Sequence, residues 1–374
     1  MPRQHGRKMY NAKMHRQHGR KMYNAKMHRQ HGRKVYNVKI AAQLYTEYNV
    51  KIATQLYIAT QLYKEYNMKI AAQLYTVRDY LLDEPQIRSS LKRVKEIGYN
   101  AVQLSGLGQY RPEKLKAMLE EFGLQVCATH TPLERIINQT DEVIKEHKLY
   151  GCKYVGLGNF YGKSIADYAA LLHRIRPALD KLHGNGLMFL YHNHAHEFIN
   201  YGGVDGYGGA DGAQSNGADG AGAHPTGAQT SAQTGAKTAE HAPGAQIMRP
   251  IDYLKENTPP DKFGFLVDFY WVQYAGASPT AFLRQLAGRV PVVHLKDMRA
   301  VEENVKKTLF KRRPQPKCKT AEIGLGNMDY AEILRECSAQ GVEFGAVEQD
   351  FCDGDPFKSL EVSLRTCLHG LPNG

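Results

Sequence analysis

Three segments in the second half of the chain end in residues able to ligate a cation: GFLVD at Asp268, PVVHLKD at His294, and GAVEQD at Glu348. Each is an apolar run closed by a carboxylate or an imidazole, which is how a parallel β/α barrel delivers side chains to one mouth. Two carboxylates and an imidazole meeting there can hold a divalent cation with a coordination position left open. Such a centre belongs to an enzyme acting on a small, oxygen-rich substrate. Further polar groups stand at other predicted strand ends. They are His130 and Glu134 after strand three, His192, His194 and Glu197 around YHNHAHE, Trp271 after Asp268, and Lys296 with Asp297 and Asp350 beside the ligands. A lone strand-end Asp usually caps the next helix, so the joint occurrence carries the metal reading.

The elements that must position these residues alternate strictly. Short β-branched runs predict strands near 69–75, 100–104, 124–130, 153–158, 187–192, 263–268, 290–296 and 343–348. Amphipathic stretches predict helices over 85–97, 112–122, 140–149, 164–184, 250–257, 278–287, 328–340 and 356–369. Pro85, Pro112 and Pro356 suit first helical turns, and Gly98, Gly123, Gly151, Gly186 and Gly341 suit helix ends. Eight strand–helix units in strict alternation predict an α/β fold, a closed (β/α)8 TIM barrel. No G-x-G-x-x-G opens a helix after a first strand, which disfavours a doubly wound open sheet.

Two regions stand outside this rhythm. Residues 1–67 are a repetitive extension: RQHGRKMYNAKMH recurs, then variants of KIAAQLY follow, and Met68 begins the predicted barrel domain, 68–374. Residues 1–39 contain twelve Lys/Arg and no Asp or Glu, which accounts for the whole formal charge of +12. The body is neutral, so it gives no electrostatic reason to expect nucleic acid. Residues 201–246 contain 12 Gly and 11 Ala, a composition that predicts a disordered insert in a surface loop. Six scattered cysteines without a C-x-x-C pair fit a reduced, cytoplasmic protein. No apolar run approaches the ~20 residues of a membrane helix.

The segments KIAAQLYTVRDYL, YNAVQLSGLG, VCATHTPLERI, HKLYGCKYVGLG, YHNHAHEF, LVDFYWVQYAG, PVVHLKDM, EIGLGNMDY and VEQDFCDGDPF resemble the sugar phosphate isomerase/epimerase family, with its xylose-isomerase-like TIM barrel. The likeness runs from Met68 to the C-terminus, apart from the Gly/Ala insert and a stretch at 300–319. It implies a divalent ion (manganese, cobalt or magnesium) bound from strands five to eight, with Asp268, His294 and Glu348 at three ligand positions. The fourth is commonly a Glu at the end of strand five; this chain has His192 there. The resemblance further implies proton abstraction beside a sugar carbonyl through an enediolate, with Glu348 or Glu197 as base. Lys296 is then placed to stabilise an oxyanion or bind an anionic group, while His130, Glu134 and His194 contact substrate and Trp271 forms an apolar wall. GLG at 324–326 is a weak signal for a phosphate loop. A dehydratase or lyase on the same scaffold, or a non-catalytic sugar-binding barrel, is the alternative. AP-endonuclease-like repair ranks below both because the body is neutral. The expected partner is a small sugar-like molecule, with no membrane and with room for a homo-oligomer.

Overall fold

The computed structural model describes residues 68–201, 247–302 and 316–369. The repetitive extension 1–67 and the Gly/Ala insert beyond Tyr201 lie outside the described residues. Tyr201 and Met248 pair through two backbone hydrogen bonds of 3.0 and 2.9 Å, so the chain leaves for the insert and returns at one point.

Eight parallel strands close a barrel. They are β1 (Lys69–Gln73), β2 (Ala101–Leu104), β3 (Gln125–His130), β4 (Tyr154–Leu157), β5 (Met188–His192), β6 (Phe263–Asp268), β7 (Val292–Leu295) and β10 (Phe344–Val347). They neighbour one another in chain order, and β10 pairs back onto β1. Between β7 and β10, β8 (Asp297–Glu302) and β9 (Pro316–Ala321) form a separate antiparallel pair. The interior is filled by small and large side chains together, Ala71, Ala101, Ala128 and Ala346 beside Tyr154, Leu190, Leu266 and Phe344. The barrel is therefore a packed core whose chemistry is confined to its end.

The long connecting helices are α1 (Glu84–Ile97), α2 (Pro112–Glu121), α4 (Thr140–Tyr150), α5 (Ile165–Gly184), α9 (Tyr330–Ala339) and α10 (Pro356–His369). Shorter ones are α3 (Leu133–Asn138), α6 (Pro250–Glu256), α7 (Phe269–Tyr274) and α8 (Pro279–Gln285). Their starts follow from local chemistry. Asp83 accepts from Gln86 N and Ser164 from Asp167 N, each satisfying an amide of a first turn. The five glycines expected at helix ends all have positive φ. Among the described residues no helix is long and apolar enough to cross a membrane.

Four local differences from the expected elements have physical causes. The first strand stops at Gln73, because its side chain accepts Tyr75 N at 3.1 Å and turns the chain into a 3-10 helix over Leu74–Tyr80. Helix α7 is six residues of largely aromatic sequence, held by its cap rather than by periodicity. Helix α3 is likewise too short to show a period. The β8–β9 hairpin is an addition to a barrel loop, so the βα rhythm does not announce it.

Asp297 sets the loop that follows the hairpin. Its Oδ1 accepts Met298 N and Met328 N at 2.7 and 3.2 Å, and its Oδ2 accepts Gly324 N and Gly326 N at 2.9 and 3.1 Å. The GLG amides that suggested a phosphate cradle are thus spent on a carboxylate of the chain itself. At Gly326 a Cβ would collide with the Asp297 carboxylate. Replacing Asp297 by Ala strands four amides, so stability should fall by about 3 kcal/mol or more, read by urea unfolding.

Candidate metal centre

The strand registers bring the ligand-type residues to one end of the barrel. Asp268 and His294 are direct partners across β6 and β7, and Glu348 N bonds to Leu295 O one step beyond β10. His192 ends β5 next to β6. One atom each from His192, Asp268, His294 and Glu348 lies within 4.8 Å of the others, and all four residues are buried. Asp268 Oδ2 stands 3.4 Å from His192 Nε2 and 3.7 Å from His294 Nδ1, and Glu348 Oε2 stands 2.8 Å from His294 Nδ1.

This donor set fits a divalent ion on two observations. The outer nitrogen of each imidazole bonds an oxygen acceptor, His192 Nδ1 to Gly158 O at 2.8 Å and His294 Nε2 to Gln103 Oε1 at 2.9 Å. A carbonyl oxygen accepts only, so those nitrogens carry protons and the inner nitrogens are the ones that can offer lone pairs to an ion once unprotonated, the arrangement usual around ligating histidines. His294 Nδ1 and Glu348 Oε2 are also buried without a hydrogen-bond partner of acceptable geometry. Asp268 divides its work between its two oxygens. Oδ1 caps α7 by accepting Tyr270 N and Trp271 N at 2.9 and 3.4 Å, and Oδ2 faces the cluster. One oxygen caps a helix while the other is left to the donor set.

Lys296 supplies the balancing charge. Its Nζ lies 2.9 Å from Asp268 Oδ2, 2.8 Å from Glu348 Oε2 and 2.9 Å from Asp350 Oδ2, beneath the rings of Trp271 and Tyr270. Burial opposes ionisation of Asp268 and Glu348, but Lys296 and the neighbouring imidazoles hold both well below the usual carboxylate range. Burial would lower His294, yet Glu348 and Asp268 raise it to about 9. Burial likewise disfavours the Lys296 ammonium, and the surrounding carboxylates override it. Asp350 is pushed up by burial against the pull of Lys296, with Glu348 adding to the rise.

Around the cluster, His130 and His194 are kept neutral, first by burial and then by His192. The His130 ring centroid is 5.1 Å from that of His192 and 5.4 Å from that of His294. Its Nδ1 meets Ser105 Oγ at 3.2 Å, while its Nε2 has no partner. His194 Nδ1 is also unpartnered, and its ring lies 5.5 Å from Trp271. Gly158 leaves room for the His130 ring, which a Cβ would meet at 3.1 Å.

Two residues nominated from sequence sit elsewhere. Glu134 lies in the first turn of α3 on the surface, paired with Arg174 at 2.6 Å and bonded by Asn138 at 2.9 Å. It points outward because it is in the first turn of a helix rather than at a strand end. Glu197 is fully buried, and it is outside the four-residue donor set. Tyr191 OH donates to it at 2.7 Å, His194 N at 2.8 Å, and His196 Nε2 lies at 3.0 Å. Glu197 therefore ties down the loop after β5. Sequence reasoning missed Gln103 and Gly158, which orient the histidines. The available signal for Gln103 was a lone polar residue inside AVQL.

No protein-family model matches the chain, and no curated protein does. Solved structures match its fold. A sugar phosphate isomerase/epimerase from Parabacteroides distasonis is 17% identical, covering 81% of this chain and 94% of its own, with a TM-score of 0.57. An L-ribulose 3-epimerase is 10% identical, covering 79% and 92%, with a TM-score of 0.51. A probable 3-DHS dehydratase involved in petrobactin synthesis, from Bacillus anthracis, is 13% identical, covering 80% and 98%, with a TM-score of 0.50. The closed barrel and these likenesses together give the chain the (β/α)8 fold of the sugar phosphate isomerase/epimerase and xylose-isomerase-like proteins.

Proposed function

We propose that the protein is a metal-dependent isomerase or epimerase of a sugar, keto-sugar or sugar derivative, removing a proton beside a carbonyl by way of an enediolate. The observation that carries this reading is the buried four-residue donor set whose two imidazoles are oriented from outside. His192, Asp268, His294 and Glu348 would hold manganese, cobalt or magnesium. Such an ion supplies Lewis-acid stabilisation of charge developing on a substrate oxygen.

The chain's own groups do the rest. Glu348, held ionised by Lys296 and His294, takes the proton. The unpartnered Nε2 of His130 and Nδ1 of His194 are free to bond substrate oxygens. Lys296 places positive charge where an oxyanion forms, and Trp271 walls one side beside it. With the metal loaded, incubation of ketoses and aldoses in D2O should put deuterium on the carbon next to the carbonyl. Glu348→Gln should abolish that exchange in a folded protein. A metal-loaded wild type that binds sugars and exchanges nothing would turn the reading to a non-catalytic barrel.

The raised His294 pKa gives a pH signature. A group raised from an ordinary value near ~6.5 to about 9 stabilises the metal-free fold fully below the lower value. That contribution disappears as pH rises through the upper one. The melting temperature of chelator-treated protein should therefore fall between those limits, and His294→Gln should lose this dependence. A wild-type profile as flat as that of the variant would contradict the assignment.

A further inference from the structure

The carboxylate oxygens that face the two imidazoles also hold a cation belonging to the chain. Asp268 Oδ2 lies 3.4 Å from His192 Nε2 and Glu348 Oε2 2.8 Å from His294 Nδ1, and these are the same oxygens that Lys296 Nζ contacts at 2.9 and 2.8 Å. The third contact of that ammonium, 2.9 Å to Asp350 Oδ2, is to a carboxylate outside the four-residue set. Lys296 is 1% exposed, whereas the Asp350 side chain is 23% exposed and opens toward solvent.

An ammonium and a divalent ion drawing on the same two oxygens repel each other, and a buried site screens that repulsion weakly. Buried carboxylates without any cation are costly in turn. The lysine head is a compact point charge on a flexible four-carbon stem, so it can change partners without moving the backbone. We propose that Lys296 is an internal counter-ion of the metal centre, one that lowers the affinity for the divalent ion and shifts onto Asp350 when the ion binds. This rests on the metal-centre reading above. Asp350 is then a positioning residue, whose work is to receive the displaced ammonium.

The test is calorimetric titration of the full chain with Co2+ alone, for wild type, Lys296→Met, Asp350→Asn and the double variant. Lys296→Met should bind about tenfold more tightly or better, because the competing charge is gone. Asp350→Asn should bind about threefold or more weakly, since the ammonium then stays on the ligand oxygens, and this loss should vanish in the double variant. A buried structural lysine would instead weaken metal binding when removed, by disordering the ligands. If Lys296→Met does not fold without metal, Asp350→Asn still decides, because unchanged or tighter binding there overturns the proposal. Wild-type binding with Lys296→Met no tighter overturns the counter-ion role and leaves the metal centre standing. No binding by wild type or any variant overturns the metal centre itself, and the counter-ion with it.

Discussion

Asp268→Ala should lose the divalent ion and lower turnover by about 10^3-fold or more. The expectation rests on the position of Oδ2, which stands 3.4 and 3.7 Å from the two inner imidazole nitrogens and also carries Lys296. Removing it takes away a ligand and leaves a buried ammonium with two of its three carboxylates. The variant also loses the cap on α7, a loss of about 1 kcal/mol. Asp268→Asn separates the two roles, because its amide oxygen can still accept the helix amides while the charge is gone. Metal analysis should show both variants empty, with Asp268→Asn melting above Asp268→Ala. A fully active Asp268→Ala would remove the basis for the proposed chemistry.

Glu197→Ala should be the most destabilising single change near the mouth, by about 3–5 kcal/mol in urea unfolding. It leaves Tyr191 OH and His194 N without their acceptor and His196 without its carboxylate. Burial opposes protonation of His196, and Glu197 nevertheless raises its pKa. That contribution is complete below the ordinary histidine value and is lost as pH climbs through the raised one. Glu197→Gln keeps an acceptor and should lose less, with metal content unchanged. A drop in turnover without a drop in stability would instead restore Glu197 as a base.

The parts of this protein most legible in its sequence are those governed by strand ends. Apolar runs closing on Asp268, His294 and Glu348 lie in adjacent registers because a parallel barrel allows little else. His192 emerged as a ligand only through the resemblance, and the bond from its Nδ1 to Gly158 O leaves its Nε2 facing Asp268. Two nominated residues lie outside the donor set for a common reason. Glu134 and Glu197 lie beyond the strand end, where local turns rather than the barrel decide direction. The GLG loop misled because backbone amides bind an internal carboxylate as readily as a phosphate, and Asp297 is distant from them in sequence. Lys296 was recognisable as a charged neighbour, but its three simultaneous partners depend on how strands six, seven and eight converge.

Pulsed electron paramagnetic resonance of the Mn2+-loaded full chain tests the central claim most directly, because it counts imidazole nitrogens bound to the ion. Two such nitrogens in the wild type, falling to one in His192→Gln and one in His294→Gln, are the predicted result. A signal without imidazole coupling, or one unchanged by either substitution, would contradict the site described above.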